Sequence, residues 1–177
     1  VPEWEEVYDD VVASLPDYEA KWMLGEANMT DLIPPLAARL PMTNAAIARH
    51  LRMCWHQIEW FPDAREWVNK LNARVLQAIV TVNPFEFSGI ASACGVDPVV
   101  DVIVNSAELK TLSKVAMTEH ARMLLGLPAG VGSSILIDNR KDNCDEFVAA
   151  GGTTIHFTPE TFRAEAVYVG SDGLIIE

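Results

Sequence analysis

Residues 134–157 read SILIDNRKDNCDEFVAAGGTTIHF, and this stretch decides the fold. Ser134 to Ile137 is a short apolar run of the kind that forms a buried strand. It breaks into a polar loop at Asp138-Asn139. Lys141 to Ala150 then reads as a helix closed by Gly151-Gly152, and Thr153 to Phe157 as a further strand. Strand, loop, helix and strand in this order make a βαβ unit, which needs a parallel partner sheet.

The same alternation extends upstream. Asp63 to Leu71 is an amphipathic helix. Leu76 to Val82 is apolar and bounded by Asn83-Pro84, which predicts a buried strand. Phe85 to Cys94 is helical and ends at Gly95, a residue suited to the left-handed position after a helix. Val99 to Val104 is another apolar strand, and Lys114 to Leu125 a helix stopped by Gly126. Strands alternating with helices predict an α/β fold with a Rossmann-like parallel sheet. Nearly continuous apolar strands predict a sheet covered on both faces.

Residues 1–60 differ. Trp4, Val7, Tyr8, Val11 and Val12 recur at helical spacing, as do Ile47, His50, Leu51, Cys54 and Trp55. Pro16, Gly25, Pro34-Pro35 and Pro41 cut the stretch into short pieces. Thr30-Asp31 and Thr43-Asn44 suit helix starts. We expect an N-terminal helical unit over 1–60 and an α/β core over 61–177.

Composition narrows the function. The 177 residues carry 25 acidic and 13 basic side chains, a net charge of -12. Such a chain lacks the basic surface that nucleic acid requires. No apolar run is long enough to span a membrane, and the acidic start at Glu3, Glu5 and Glu6 is unlike a signal peptide. The three cysteines, Cys54, Cys94 and Cys144, are far apart and odd in number, which suits a reducing cytoplasm. Neither CxxC nor HExxH occurs, which argues against zinc.

In an open parallel sheet the site lies beyond the carboxyl ends of the strands. Thr81, Asn83, Asn105-Ser106, Asp138-Asn139 and His156 fall there. Thr81 offers a hydroxyl to an anionic oxygen, or serves the turn before Pro84. Asn83 and Ser106 are candidate substrate-binding residues. Lys114 opens a helix, where a cation holds a phosphate or carboxylate or is simply solvated. The oxygen-rich loop at Asp138, Asn139 and Asn143 suits Mg²⁺, a hard cation; equally, Asp138 or Asn139 serves as helix cap, with Asp145 and Glu146 in the first turn. His50 and His56 are expected to pack, and His156 to end a strand. Trp22, Met23, Met29, Met53, Trp55 and Trp60 line a pocket or form ordinary core.

The order of the parts resembles the haloacid dehalogenase (HAD) superfamily. Pro62-Asp-Ala-Arg-Glu-Trp-Val-Asn-Lys-Leu71 leads to Ala78-Ile-Val-Thr-Val-Asn-Pro84. Val100-Asp-Val-Ile-Val-Asn-Ser-Ala-Glu-Leu109 comes next, then Lys114, then the Ile135–Gly152 segment. The likeness covers about residues 61–157, with the preceding helices similar to that family's inserted cap. By resemblance Thr81 is the second-motif residue that bonds the transferred group, and Lys114 the third-motif lysine that balances charge. Asp138, Asn139 and Asn143 fall in the fourth motif, which holds Mg²⁺ in phosphatase members. The resemblance implies attack by an Asp carboxylate on a small phosphorylated, or less readily a halogenated, molecule between cap and core.

Three features depart from the pattern. The first motif, an apolar strand ending in Asp-x-Asp, does not precede the helices, and Val1-Pro2-Glu3-Trp4 is similar to the residues that normally come just after that motif. Asp9 and Asp10 sit in a helical pattern. Asn139 stands where a fourth-motif acid is usual, and Val115 where proline commonly succeeds the lysine. We therefore expect little or no hydrolase activity from these residues alone. A non-catalytic ligand- or partner-binding protein on the same scaffold is the alternative. In this family the first-motif strand lies mid-sheet, so its place needs filling. The C-terminal Ala166–Ile176 run would fill it or form an edge hairpin turning at Ser171-Asp172-Gly173; a homodimer lending a strand is a further route.

Overall fold

The computed structural model describes residues 4–55, 64–72, 75–93, 95, 99–158, 167–170 and 173–176. In chain order these form α1 (Trp4–Ser14), α2 (Tyr18–Met23), a 3-10 turn (Met29–Leu32), α3 (Ile33–Ala37), α4 (Asn44–Trp55), α5 (Ala64–Asn72) and β1 (Ala78–Thr81). Next come α6 (Glu86–Ala93), β2 (Val102–Asn105), α7 (Ser106–Leu109), α8 (Lys114–Leu124), β3 (Ile135–Asp138), α9 (Lys141–Ala149) and β4 (Thr153–His156). The hairpin strands β5 (Val167–Gly170) and β6 (Gly173–Ile176) close the chain. The deciding stretch is thus β3, loop, α9 and β4, as expected. The short helix α7 was not expected. His56, Trp60, Cys94 and the Ser171-Asp172 turn lie outside the described residues.

The chain gathers into two compact units. One comprises Val1–Phe61, Thr81–Val96 and Asn105–Leu112. Its core forms because α1 presents Trp4 and Val11 on one stripe, with Val7, Tyr8 and Val12 alongside, to Leu32, Leu36 and Ile47. Trp4 and His50 meet with ring centroids 4.1 Å apart, so His50 packs as expected. Trp22 and Met29 are core residues, whereas Met53 is exposed. Thr43 Oγ1 accepts the Ala46 N–H at 3.2 Å and caps α4. The 3-10 turn is capped by an Asn28 and Asp31 box instead of Thr30. Gly25 has φ +68°, and a Cβ there would lie 2.8 Å from the Ala107 carbonyl oxygen and against the Phe85 ring. Only glycine gives both the left-handed turn and the close approach.

The other unit comprises Pro62–Val80, Asp97–Val104 and Ser113–Glu177. β3 and β4 are parallel, in register from Ile135↔Thr153 to Asp138↔His156, with α9 as the crossover that a parallel pair requires. Val131, Leu136 and Phe147 form a core against which Val80 and Val115 pack. Buried Arg122 ties the approach to β3, donating from Nε to the Pro128 carbonyl at 3.0 Å and from Nη1 to Ser134 Oγ at 2.9 Å.

One expectation needs correction. The strands are not covered on both faces: Leu136 is 6% exposed, but its neighbours Ile135 and Ile137 are 42% and 38% exposed. In β1 no residue is fully buried. The physical reason is sheet width. Among the described residues the strands pair only as β1-β2, β3-β4 and β5-β6, and a two-stranded ribbon cannot shelter both faces. Of the two readings of the C-terminal run, the hairpin is the one observed, and the mid-sheet place is not taken by it. β5 and β6 form an antiparallel hairpin, from Val167↔Ile176 to Gly170↔Gly173, and pair with each other alone among the described strands.

Candidate functional site

Asp138 ends β3, and the loop after it is built around its carboxylate. Oδ1 accepts the Arg140 backbone N–H at 2.8 Å. Asn143, on the first turns of α9, reaches both oxygens with Nδ2 at 3.1 Å. Since a carboxylate only accepts, the amide group facing it must be the NH₂ end. Lys114 Nζ lies 3.4 Å from Oδ2, with the two side chains 11% and 7% exposed, a buried ion pair. The same ammonium donates to the Val80 carbonyl at 2.6 Å. Lys114 is placed there because it opens α8, whose start is fixed by Ser113 Oγ accepting the Ala116 N–H at 3.3 Å.

The helix-cap expectation for Asp138 or Asn139 shifts. Arg140 is the residue at the N-cap of α9 and makes no side-chain cap bond. Asp138 instead holds the Arg140 N–H two residues on, as aspartate does in tight turns. The acid of the first turn is Asp142, not Asp145 or Glu146. The Arg140 guanidinium beside Asp142 holds that carboxyl below its usual range. His156 ends β4 opposite Asp138. Its Nε2 is 3.0 Å from the Asn139 carbonyl oxygen, so the proton is on Nε2 and the ring braces the loop. Cys144 lies beneath, its thiol 3.6 Å from the Asp138 carbonyl. Burial, and then the charge of Asp138, push this thiol's pKa up, so it stays protonated and is no nucleophile.

Mg²⁺ was expected at this loop, and the donor set does not fit it. A carboxylate has roughly four acceptor positions. Arg140 N–H, the Asn143 amide on each oxygen, and Lys114 meet those of Asp138. Asn143, expected as a ligand, turns a donor to Asp138. Among the described residues no group of three or more His, Cys, Asp or Glu side chains is placed to hold a metal ion.

Thr81, Asn83 and Ser106 come together in the unit that contains the N-terminal helices. Thr81 Oγ1 accepts from Asn83 Nδ2. Asn83 N–H donates to Ser106 Oγ at 3.0 Å. Ser106, fully buried, directs its own proton to the Met23 carbonyl at 2.6 Å, with the Asn83 carbonyl at 3.2 Å. Its hydroxyl is therefore occupied inside the fold. Lys114, Asp138, Asn139 and Asn143 come together in the other unit. Asn105, which the sequence placed at a strand end without a role, is 1% exposed, caps α7 through the Ala107 N–H and donates to the Pro84 carbonyl at 3.0 Å. Its signal was a cap-type residue ending an apolar strand.

No family model matches the sequence, and no curated protein matches it. Solved structures do. A HAD family enzyme from Bacteroides thetaiotaomicron, in complex with magnesium and inorganic phosphate, matches with a TM-score of 0.67 at 10% identity, over 89% of this chain and 84% of its own. A dehalogenase with an intermediate complex matches at 0.63 and 14% identity, over 89% and 72% of the two chains. This chain has the HAD fold. The L-2-haloacid dehalogenase from Xanthobacter autotrophicus extends the likeness, with a TM-score of 0.58 at 11% identity over 89% of this chain and 74% of that one. Within the HAD fold, parallel strands packed against helices carry Thr81, Lys114 and Asp138 at a strand end, a helix start and a strand end. Identities this low carry the fold alone, and the chemistry has to be argued from this chain's own side chains.

Proposed function

We propose that the chain is a HAD-like hydrolase acting on a small phosphorylated molecule, less readily a halogenated one. Residues 1–60 serve as the helical cap and 61–177 as the core. The buried ammonium of Lys114 carries this reading. It is fixed by the Val80 carbonyl and Asp138, and a lysine so placed has a further donor for an anionic oxygen. Thr81 is the residue that would bond the transferred group. Asn83 and Ser106 serve the substrate through the hydrogen bonds that hold the loop after Thr81.

The reaction needs an attacking carboxylate, and the 177 residues include no apolar strand ending in Asp-x-Asp. Asp9 and Asp10 are exposed on α1, and Asp10 faces Arg39 at 3.7 Å, so neither replaces it. We infer that these residues alone turn over little. The partner is a small molecule, with neither nucleic acid nor a membrane involved, and a homodimer is one way to extend the narrow sheets. A cytoplasmic setting is supported by the free thiols Cys54 and Cys144. Among the described residues no helix is long and apolar enough to cross a membrane.

A second reading, a non-catalytic ligand- or partner-binding protein on this scaffold, is favoured by one observation: the contacts that meet Asp138 are all internal. A generic phosphate ester tests both. The hydrolase reading expects saturable binding that weakens in Lys114→Met, with turnover near background even with Mg²⁺ present. Binding indifferent to Lys114 would favour the second reading. A robust rate lost in Asp138→Ala, but kept in Asp9→Ala and Asp10→Ala, would reveal an unrecognised nucleophile.

A further inference from the structure

We propose that the Asp138 loop works without a divalent metal, the chain's own donors standing where a cation would bind. The inference concerns the anion site proposed above, but it stands on the carboxylates of the loop and of α9. Mg²⁺ is bound by proteins through one or two carboxylates with open oxygen lone pairs. Every carboxylate from Asp138 to Glu146 already has a partner. Asp138 holds Lys114, Asn143 and the Arg140 N–H. Asp142 pairs with the Arg140 guanidinium, and Asp145 with Lys141 at 2.7 Å. Glu146 accepts from Ser113 Oγ at 2.7 Å.

The exposed pairs exchange freely with water and would yield to a metal at little cost. The pair at Asp138 would not. To open Oδ2, Mg²⁺ has to displace a buried ammonium that the Val80 carbonyl holds at 2.6 Å. It would then leave that positive charge buried beside a divalent cation, which is strongly unfavourable. To open Oδ1, it has to displace the Arg140 N–H and the Asn143 amide, and with them the turn that starts α9. Asn139 brings no second carboxylate to offset either loss, and its carbonyl is held by His156.

The test is a Mn²⁺ titration of isotopically labelled chain, read by amide line broadening with Mg²⁺ as competitor. It is paired with thermal melts in chelator and in millimolar MgCl₂. We expect no saturable broadening at Asp138 or Asn143 and melting temperatures that coincide. Saturable broadening there, reversed by Mg²⁺, would overturn the proposal. The variant Asn143→Asp replaces the donor by a second carboxylate. It should gain Mn²⁺ broadening at the loop and a melting temperature that rises with Mg²⁺. A variant as inert as the wild type would show that the donor set is not what keeps metal out, and would also overturn it. No substrate enters these measurements, so metal binding would defeat this inference and leave the hydrolase reading standing. Loss of phosphate-ester binding would do the reverse.

Discussion

Replacing Lys114 by methionine removes the ammonium while keeping most of the side-chain volume, and its cost can be worked from the geometry. At the observed 3.4 Å, two unit charges in an effective dielectric near 20 attract by about 5 kcal/mol. Most of that is offset in the wild type by desolvation of both groups, so the pair itself adds little net stability. Breaking it is a different matter. Asp138 would remain buried and charged with only the Arg140 N–H and the Asn143 amide for company. Unpairing a buried charge costs about 3–5 kcal/mol, and the donors that remain put this case near the lower end, about 3 kcal/mol. The Val80 carbonyl also loses its partner, a loss of about 1 kcal/mol that can offset part of that relief. Urea unfolding should show a lower midpoint at unchanged slope. The double variant Lys114→Met/Asp138→Asn removes both charges and should recover at least about 1 kcal/mol of the single-variant loss. A loss below about 1 kcal/mol for Lys114→Met, or a double variant whose loss equals the sum of the two singles, would refute the buried-pair reasoning.

The same structure sets three other outcomes. Ser106→Ala should cost about 1–3 kcal/mol, because the Met23 carbonyl and the Asn83 N–H lose a fully buried partner; faster hydrogen exchange at the Asn83 amide would check it, and an unchanged rate would count against the network. Gly152→Ala should cost about 1–3 kcal/mol in a thermal melt, since a Cβ there runs into the Phe147 ring at the centre of its core; a neutral result would mean that the ring moves freely. Tyr18 donates its hydroxyl to the Asn28 carbonyl at 2.7 Å, and burial, then the charge of Asp31, raises its pKa. A raised folded pKa stabilises fully below the unfolded value of about 10 and is lost as pH rises through the folded value. Tyr18→Phe should therefore be less stable at neutral pH but lose less stability on alkaline titration, and parallel curves for the two proteins would contradict this.

The β3, α9 and β4 order was legible because each element carries its own local signal: an apolar run, a glycine pair and a second run. Burial was not, because the exposure of Ile135 and Ile137 depends on how many strands lie beside them. The helix start at Lys141 was legible and its cap was not. Asp138 and Asn139 both have cap chemistry, and only the observed turn shows Asp138 spent on the Arg140 N–H. Lys114 and Asp138 were each visible as residues. Their pairing, and the Val80 carbonyl that completes it, are long-range contacts with no local sequence trace. Which end of the Asn143 amide is used was not legible, for a chemical reason. An asparagine carries both an oxygen suited to a metal and a nitrogen suited to a carboxylate, and the neighbour decides which is used.

The proposed function rests on a small anion binding at the Lys114 and Asp138 corner of the HAD fold. It is tested most directly by titrating labelled chain with inorganic phosphate and monitoring every backbone amide. Saturable shifts should centre on Lys114 and on residues 138–143, unchanged by a metal chelator. Shifts centred elsewhere, or none that saturate at that corner, would contradict it.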